Sequence, residues 1–202
     1  MSNFNAQPSV PKVRSYRLGR RAEKQEETRR RIVEATVELH GTIGPARTTV
    51  SQIAERAGVQ RHTFYAHFPD DRSLFEACSG HALSRDPLPD AEAWLTLPSG
   101  PERVRAGLAQ LYAWYQRNAE MAACVLRDAE THALTREIVE LRMAPSFTRA
   151  AEVLGEGLPG HARPLLAVAL EFACWRVLAR THSPEAAGEL MADAVAGLET
   201  AR

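Results

Sequence analysis

Between Gln60 and His67 the chain sets out Gln60, Arg61, His62, Thr63, Tyr65 and His67, a run of donors, acceptors and one flat aromatic edge with no acid among them. On a helix, that is the chemistry of base-edge and phosphate recognition. An arginine can fork onto the O6 and N7 atoms of guanine, while a tyrosine ring can pack on a thymine methyl or its hydroxyl bond a phosphate. Arg61 and Tyr65 suit these roles, and Thr49 and His67 stand where they can reach phosphates from the flanks. A helix that merely turned its polar face to water would ordinarily carry Asp or Glu as well.

The elements that must position these residues follow from local signals. Thr49 precedes Val50-Ser51-Gln52, so its hydroxyl can satisfy an orphan amide while Gln52 reaches back, a capping box. The short helix VSQIAERA starts there and stops at Gly58, a residue type that takes a left-handed turn at no steric cost. A helix is expected from Arg61 to about Phe68, and Pro69-Asp70-Asp71 opens another that runs to about Ser84. Before them, a helix from about Glu26 to Gly41 presents Ile32, Ala35, Thr36 and Leu39 on one face. Ile32, Leu39, Ile53, Ala54, Ala57, Val59, Phe64, Phe68 and Leu74 can then close one small core. Two short helices joined by a glycine turn over such a core describe a helix-turn-helix, with an ordinary helical hairpin as the competing reading.

Charge points the same way. The 25 basic and 25 acidic side chains cancel, but residues 1–72 carry 13 positive and 8 negative groups, and residues 73–202 carry 12 and 17. Lys12, Arg14, Arg17, Arg20 and Arg21 come before any acid. These numbers imply a basic, flexible tail over residues 1–25, a helix-turn-helix domain over 26–72, and a polyanion partner at that end.

Prolines divide the remainder, since one in a helix interior costs roughly 3 kcal/mol. Pro87, Pro89, Pro98 and Pro101 cluster in an irregular connection with room for a short helical turn around Trp94. Elsewhere apolar residues recur at helical spacing and no strand pattern of useful length occurs, so the chain is expected to be all-α. Val104, Leu108, Leu111, Tyr112 and Tyr115 share one helical face, a bend is expected near Asn118, and a long helix from Thr131 to about Leu154 should be kinked by Pro145. Two final helices, about Ala162 to Arg180 and Pro184 to Thr200, are joined where Ser183 caps and Pro184 takes the first helical position. The first of them, LLAVALEFACWRVL, is apolar around most of its circumference and must be buried on more than one side. The second carries Ala187, Leu190, Met191, Ala194, Val195 and Leu198 on one stripe.

Residues 29–77, RRRIVEATVELHGTIGPARTTVSQIAERAGVQRHTFYAHFPDDRSLFEA, resemble the DNA-binding domain of the tetracycline-repressor (TetR) family. The likeness lies in the Gly-x-x-x-Thr-Thr-Val entry, IAERAGV, T-F-Y-x-H-F-P and a capped helix with Leu-Phe. It implies an all-α homodimer in which an N-terminal three-helix helix-turn-helix domain reads a palindromic operator in double-stranded DNA. A helical C-terminal domain, residues 73–202, would dimerise and bind a small apolar or amphipathic effector that releases the repressor. The DNA-facing set is then Thr49, Gln60, Arg61, His62, Thr63, Tyr65, His67 and Arg72. Two positions depart from the family pattern. Asp71 stands where a basic residue commonly meets a phosphate, with Arg72 as its possible substitute, and His62 stands where a small residue is frequent.

The resemblance also places an effector between C-terminal helices near Pro145. Tyr112, Tyr115, Met121, Cys124, Met143, Phe147, Phe172 and Trp175 are the apolar candidates to line that space, with plain core packing as the alternative for each. His132 and Arg176 are polar candidates. The last two helices would pair with those of a second copy in a four-helix bundle, or be buried within one chain.

Other function classes find little support. No GxSxG elbow, HExxH, phosphate-binding loop or dinucleotide fingerprint occurs, so neither an enzyme nor a cofactor is expected. Cys78, Cys124 and Cys174 lack the spacing of a disulfide framework or zinc site and read as reduced core thiols. Cys78 and His81 would supply only two metal ligands, and no metal is expected. Apolar runs fall short of the roughly 18 residues of a membrane span, and the N-terminus has no apolar signal core, so a cytoplasmic protein without membrane contact is expected. An activator, or a regulator answering a protein partner, is the competing reading within the same fold.

Overall fold

A computed structural model describes residues 12–197, and side chains from residue 19 onward. No strand occurs among the described residues. Helix α1 spans Lys12–Thr42 and is followed by a short 3-10 turn, Pro45–Arg47, and by α2, Val50–Ala57. Next come α3, Arg61–His67, and α4, Asp71–Arg85. The proline-rich connection holds a 3-10 turn at Ala91–Thr96, and α5, Pro101–Arg117, leads into α6, Ala119–Ala129. Helices α7, Ala133–Leu154, α8, Arg163–Leu170, α9, Phe172–Leu178, and α10, Pro184–Gly197, complete the fold.

Local chemistry accounts for most of these boundaries. Thr49 and Gln52 form the capping box, with the Gln52 amide donating to Thr49 Oγ1 at 3.3 Å and the Thr49 amide to Gln52 Oε1 at 2.8 Å. Gly58 closes α2 in the left-handed region at φ 63°. Asp70 caps α4 by accepting the Ser73 amide at 2.7 Å. At the bend between α5 and α6, Asn118 donates to Trp114 O at 3.0 Å and to Asp86 Oδ2 at 2.8 Å, so the turn is pinned to the end of α4.

Two apolar cores result. The smaller packs Ile32, Ile53, Ala57, Phe64, Phe68 and Leu74 beneath α2 and α3, with Leu39 and Val59 at its edge. The larger gathers Val104, Leu108, Leu111, Tyr112 and Tyr115 of α5 against α7, α8, α9 and α10. Helix α4 serves both, since Leu74 and Cys78 enter the small core and Leu83 packs on the large one. A division at residue 72 therefore falls at the start of a shared helix rather than between separate bodies.

Four expectations change. Residues 12–25, expected to be flexible tail, are the first half of α1, while residues 1–11 lie outside the described part. The helix expected from Ala162 to Arg180 breaks at Glu171, whose ψ of 137° is extended. Its freed carbonyls are satisfied from α5: Tyr112 donates to Ala169 O at 2.8 Å and Tyr115 to Leu170 O at 2.6 Å. The α10 stripe is also split. Ala187 and Val195 are fully buried, and Gly188 brings α10 so close to α5 that a Cβ would lie 2.8 Å from the Ala109 nitrogen. Leu190 instead faces outward, and Leu198 lies outside the described residues. Of the cysteines only Cys78 is a core thiol, whereas Cys124 and Cys174 are half-buried.

Candidate nucleic-acid interface and adjoining cavity

Helix α3 sits on the small core through Phe64, which is buried, and turns its other faces outward. Gln60, Arg61 and His62 are exposed, Tyr65 is 49% exposed, and Thr63 and His67 are half-exposed. Tyr65 stands edge-on to Phe64 with 5.4 Å between ring centroids, and His62 Nε2 lies 3.3 Å from Thr63 Oγ1. This face is thus accessible and free of acids.

The turn before α3 is held from α1. Arg31 Nη2 donates to Gly58 O at 3.0 Å and also to Ala57 O, which caps the carbonyl end of α2. Arg56 of α2 pairs with Glu38 of α1, and Arg29 lies 4.5 Å over the Phe68 ring. These contacts join the end of α2 and the residue that closes α3 to α1.

The flanking residues are placed differently from one another. Thr49 is exposed but its hydroxyl already donates to Gln52 Oε1 at 2.8 Å, so a phosphate contact there requires the cap to re-form around it. Arg72 is tied to Glu137 of α7 and lies 3.7 Å from Glu76, so its charge is met within the chain. Arg47, the last residue of the 3-10 turn before α2, is exposed, a basic residue that the sequence alone did not single out.

Beneath the interface is a cavity of about 390 Å³. Its wall includes Tyr115, Met121, Met143, Phe147 and Phe172, five of the eight apolar candidates. The other three lie elsewhere. Tyr112 is fully buried in the large core and Trp175 is buried there too, 5.7 Å from the Tyr115 ring, while Cys124 points to Thr42 O of α1 at 3.7 Å. His132 caps α7, accepting the Thr135 amide at 3.3 Å, and Arg176 lies 5.8 Å over Phe172, so neither polar candidate lines the space.

Several wall residues escaped the sequence reading: Val37 and His40 of α1, Phe75 and Cys78 of α4, and Trp114 of α5. A signal was present in α1. Val33, Val37 and His40 make a second buried or half-buried stripe beside Ile32, Ala35, Thr36 and Leu39, and a helix with two such stripes touches two partners. His40 Nδ1 lies 3.7 Å from Cys78 Sγ, and its ring meets Phe75 edge-on at 5.0 Å. Burial lowers the imidazole to about 4, with Asp128 pulling it up and His132 pushing it further down, so the ring is neutral near pH 7. Burial likewise pushes the Cys78 thiol up to about 12, which leaves it protonated and unreactive. Cys78 faces His40 rather than His81, and no group of three metal-ligating residues occurs among the described residues.

Helix α6 joins the cavity to the interface. Met121, Ala122, Val125 and Leu126 line the space, while the far end of the same helix grips the connection between α1 and α2. Asp128 accepts the Ala46 amide at 2.9 Å, and Arg127 Nη2 donates to Ile43 O at 3.0 Å. Burial works against the Asp128 charge, but the Ala46 amide and Arg127 hold its carboxyl below the usual range. Gly44 makes the approach possible: it has φ 97°, and a Cβ there would collide with Arg127 Nη2 and Asp128 Oδ2.

An all-α chain with a helix-turn-helix on one side and an apolar cavity under it is the architecture defined by these features. Residues 32–78 match the family described as bacterial regulatory proteins, tetR family. The chain is 38% identical over 72 residues to the HTH-type transcriptional regulator SrpR of Pseudomonas putida, the match covering 34% of each chain. It is 43% identical over 58 residues to the HTH-type transcriptional regulator TtgR, also of Pseudomonas putida, covering 29% of this chain and 28% of that one. The matches thus span about a third or less of the relatives' length. In fold, the chain is similar to the transcriptional regulator FadR from Bacillus subtilis in complex with stearoyl-CoA, with a TM-score of 0.59 and 18% identity over 82% of this chain and 96% of that one. It is also similar to a transcriptional regulator from Rhodococcus sp. Rha1, with a TM-score of 0.56 and 20% identity over 84% and 94% of the two chains.

Proposed function

We propose that the protein is a sequence-specific DNA-binding transcriptional regulator, a homodimeric repressor released from a palindromic operator by a small apolar or amphipathic molecule held in the cavity. The observation that carries this reading is the exposed, acid-free face of α3 on a braced helix-turn-helix, linked through α6 to the apolar cavity. Gln60, Arg61, His62, Thr63 and Tyr65 read base edges, and Thr49 and His67 serve the phosphates. Arg72 joins them only by leaving Glu137. Val168 of α8, Val177 of α9 and Leu190 of α10 are 53%, 59% and 45% exposed, apolar surface that a second copy would cover. The similarity to FadR, a protein in complex with stearoyl-CoA, is in keeping with effector binding by this fold.

Release needs only a difference in effector affinity between two arrangements of the dimer. An effector that fits better when α6 is displaced loosens Asp128 and Arg127 from the α1–α2 connection and changes the spacing of the two α3 helices. Among the described residues no helix is long and apolar enough to cross a membrane.

Selection from random duplex DNA at near-physiological salt tests the reading. The expected result is an inverted repeat, at which Arg61→Ala costs roughly 1–3 kcal/mol and relaxes preference at one base position in each half-site. Absence of any enriched sequence would overturn it.

A further inference from the structure

We propose that the cavity takes an amphipathic anion, an apolar and partly aromatic body bearing one carboxylate, and that Arg142 holds the carboxylate; this rests on the reading of the cavity as the effector site. Trp114, Tyr115, Met143, Phe147 and Phe172 make a wall suited to a flat apolar body, with Tyr115 and Phe147 stacked at 6.4 Å. Such a wall supplies affinity but little orientation, which falls to the few polar groups. Among the lining residues Arg142 is the only arginine or lysine, and His40 is neutral near pH 7.

The bonding of Arg142 is incomplete. It is half-buried, and its guanidinium donates from Nε to Ser79 Oγ at 3.2 Å and from Nη2 to Glu76 O at 2.9 Å. Both acceptors are neutral, and Nη1 has no partner among the described residues. The nearby Glu76 carboxylate is turned to Arg72 instead, at 3.7 Å. Exposed Arg117 and Arg149, by contrast, each meet carboxylates. A partly desolvated cation without a counter-ion among the described residues, beside an apolar space, is where a ligand carboxylate gains most, because charged pairs with a forked donor are the strong ones.

A cationic ligand is less well served by the acids of the wall. Asp86 is occupied by Arg117 and Asn118. Glu140 and Glu171 are exposed, so water solvates their charge. Arg142 also ties α7 to α4, the helix that directly follows the recognition helix, through Glu76 O and Ser79. An anion that draws the guanidinium into the cavity competes with those bonds, which would put ligand charge in contact with the position of α4.

Three probes on one skeleton separate charge from shape: 2-naphthoate, 2-naphthamide and 2-naphthylmethylamine, titrated calorimetrically into the full chain at pH 7.5. Naphthoate is expected to bind more tightly than naphthamide by roughly tenfold or more, the usual gain of a hydrogen bond to a charged group. Arg142→Gln should bring naphthoate down to the level of naphthamide while weakening naphthamide far less than naphthoate, and Arg142→Lys should keep part of the preference. Retained naphthamide binding shows that the variant still has its cavity, and the lysine variant decides the matter if the glutamine variant fails to fold. Naphthamide binding as well as naphthoate, or the amine binding best, would overturn the anion preference and leave the cavity reading standing. A naphthoate preference that survives Arg142→Gln would overturn the assignment to Arg142. Failure of all three probes would overturn the cavity reading and this inference with it.

Discussion

The recognition helix and the cavity beneath it are about equally important to the proposed regulator but are built in opposite ways. Helix α3 works with side chains that point outward from one seven-residue segment, and a single core residue, Phe64, anchors it. The cavity works with side chains that point inward from α1, α4, α5, α6 and α7 and from the break between α8 and α9, from Val37 to Phe172. A surface on one helix is a local property that periodicity and caps can specify. An internal space is what remains after several helices have packed, so its outline depends on every angle at which they meet.

Core truncation tests the contrast most strongly. Phe64→Ala should cost about 3–5 kcal/mol, the usual price of an aromatic removed from a packed core, and should abolish DNA binding by unseating α3. If the two cores are independent, near-ultraviolet circular dichroism of the buried tyrosines and tryptophans of the larger one survives. Its loss at the same temperature would show that α4 makes the two a single cooperative unit.

His40 sits where the two regions meet, and its protonation offers a second test. The ring ionises near 6.5 when unfolded and at about 4 when folded, so between those values the unfolded chain binds the extra proton. The contribution of His40 is therefore complete above pH 6.5 and falls as the pH drops toward 4, by about 3 kcal/mol at most. Urea denaturation of the parent and of His40→Leu at pH 7 and pH 4.5 isolates it as the difference in their pH dependence. Parallel curves would mean that the imidazole is solvated rather than sealed at the junction.

A smaller effect is expected at the cap. Thr49→Ala removes the oxygen that receives the Gln52 amide and should cost about 1 kcal/mol. Hydrogen exchange should speed up for the first amides of α2 and remain unchanged in α5. Faster exchange in α5 would show that this local signal also props the distant bundle.

The helix-turn-helix was readable because each of its decisions is made within a few residues. The Thr49–Gln52 box, the left-handed Gly58 and the Asp70 cap stand where their residue types place them. The cavity was readable in part. Tyr115, Met121, Met143, Phe147 and Phe172 could be chosen as large apolar groups near Pro145, but the same criterion chose Tyr112, Cys124 and Trp175, which have other employment. Nothing in the composition of α1 says that Val37 and His40 face a space rather than a neighbour, although their stripe shows that they face something.

By itself, then, the sequence determined the helical class, the small core and the outward face of α3, because caps, glycine turns and 3.6-residue spacing act between neighbours along the chain. Only the tertiary structure decided the break at Glu171. The run from Leu165 to Leu178 contains no Gly or Pro to stop a helix, and α8 ends because buried hydroxyls of Tyr112 and Tyr115 bond Ala169 O and Leu170 O across the core. Those donors lie 57 and 55 residues away along the chain, a separation that local spacing does not register and that packing alone brings together.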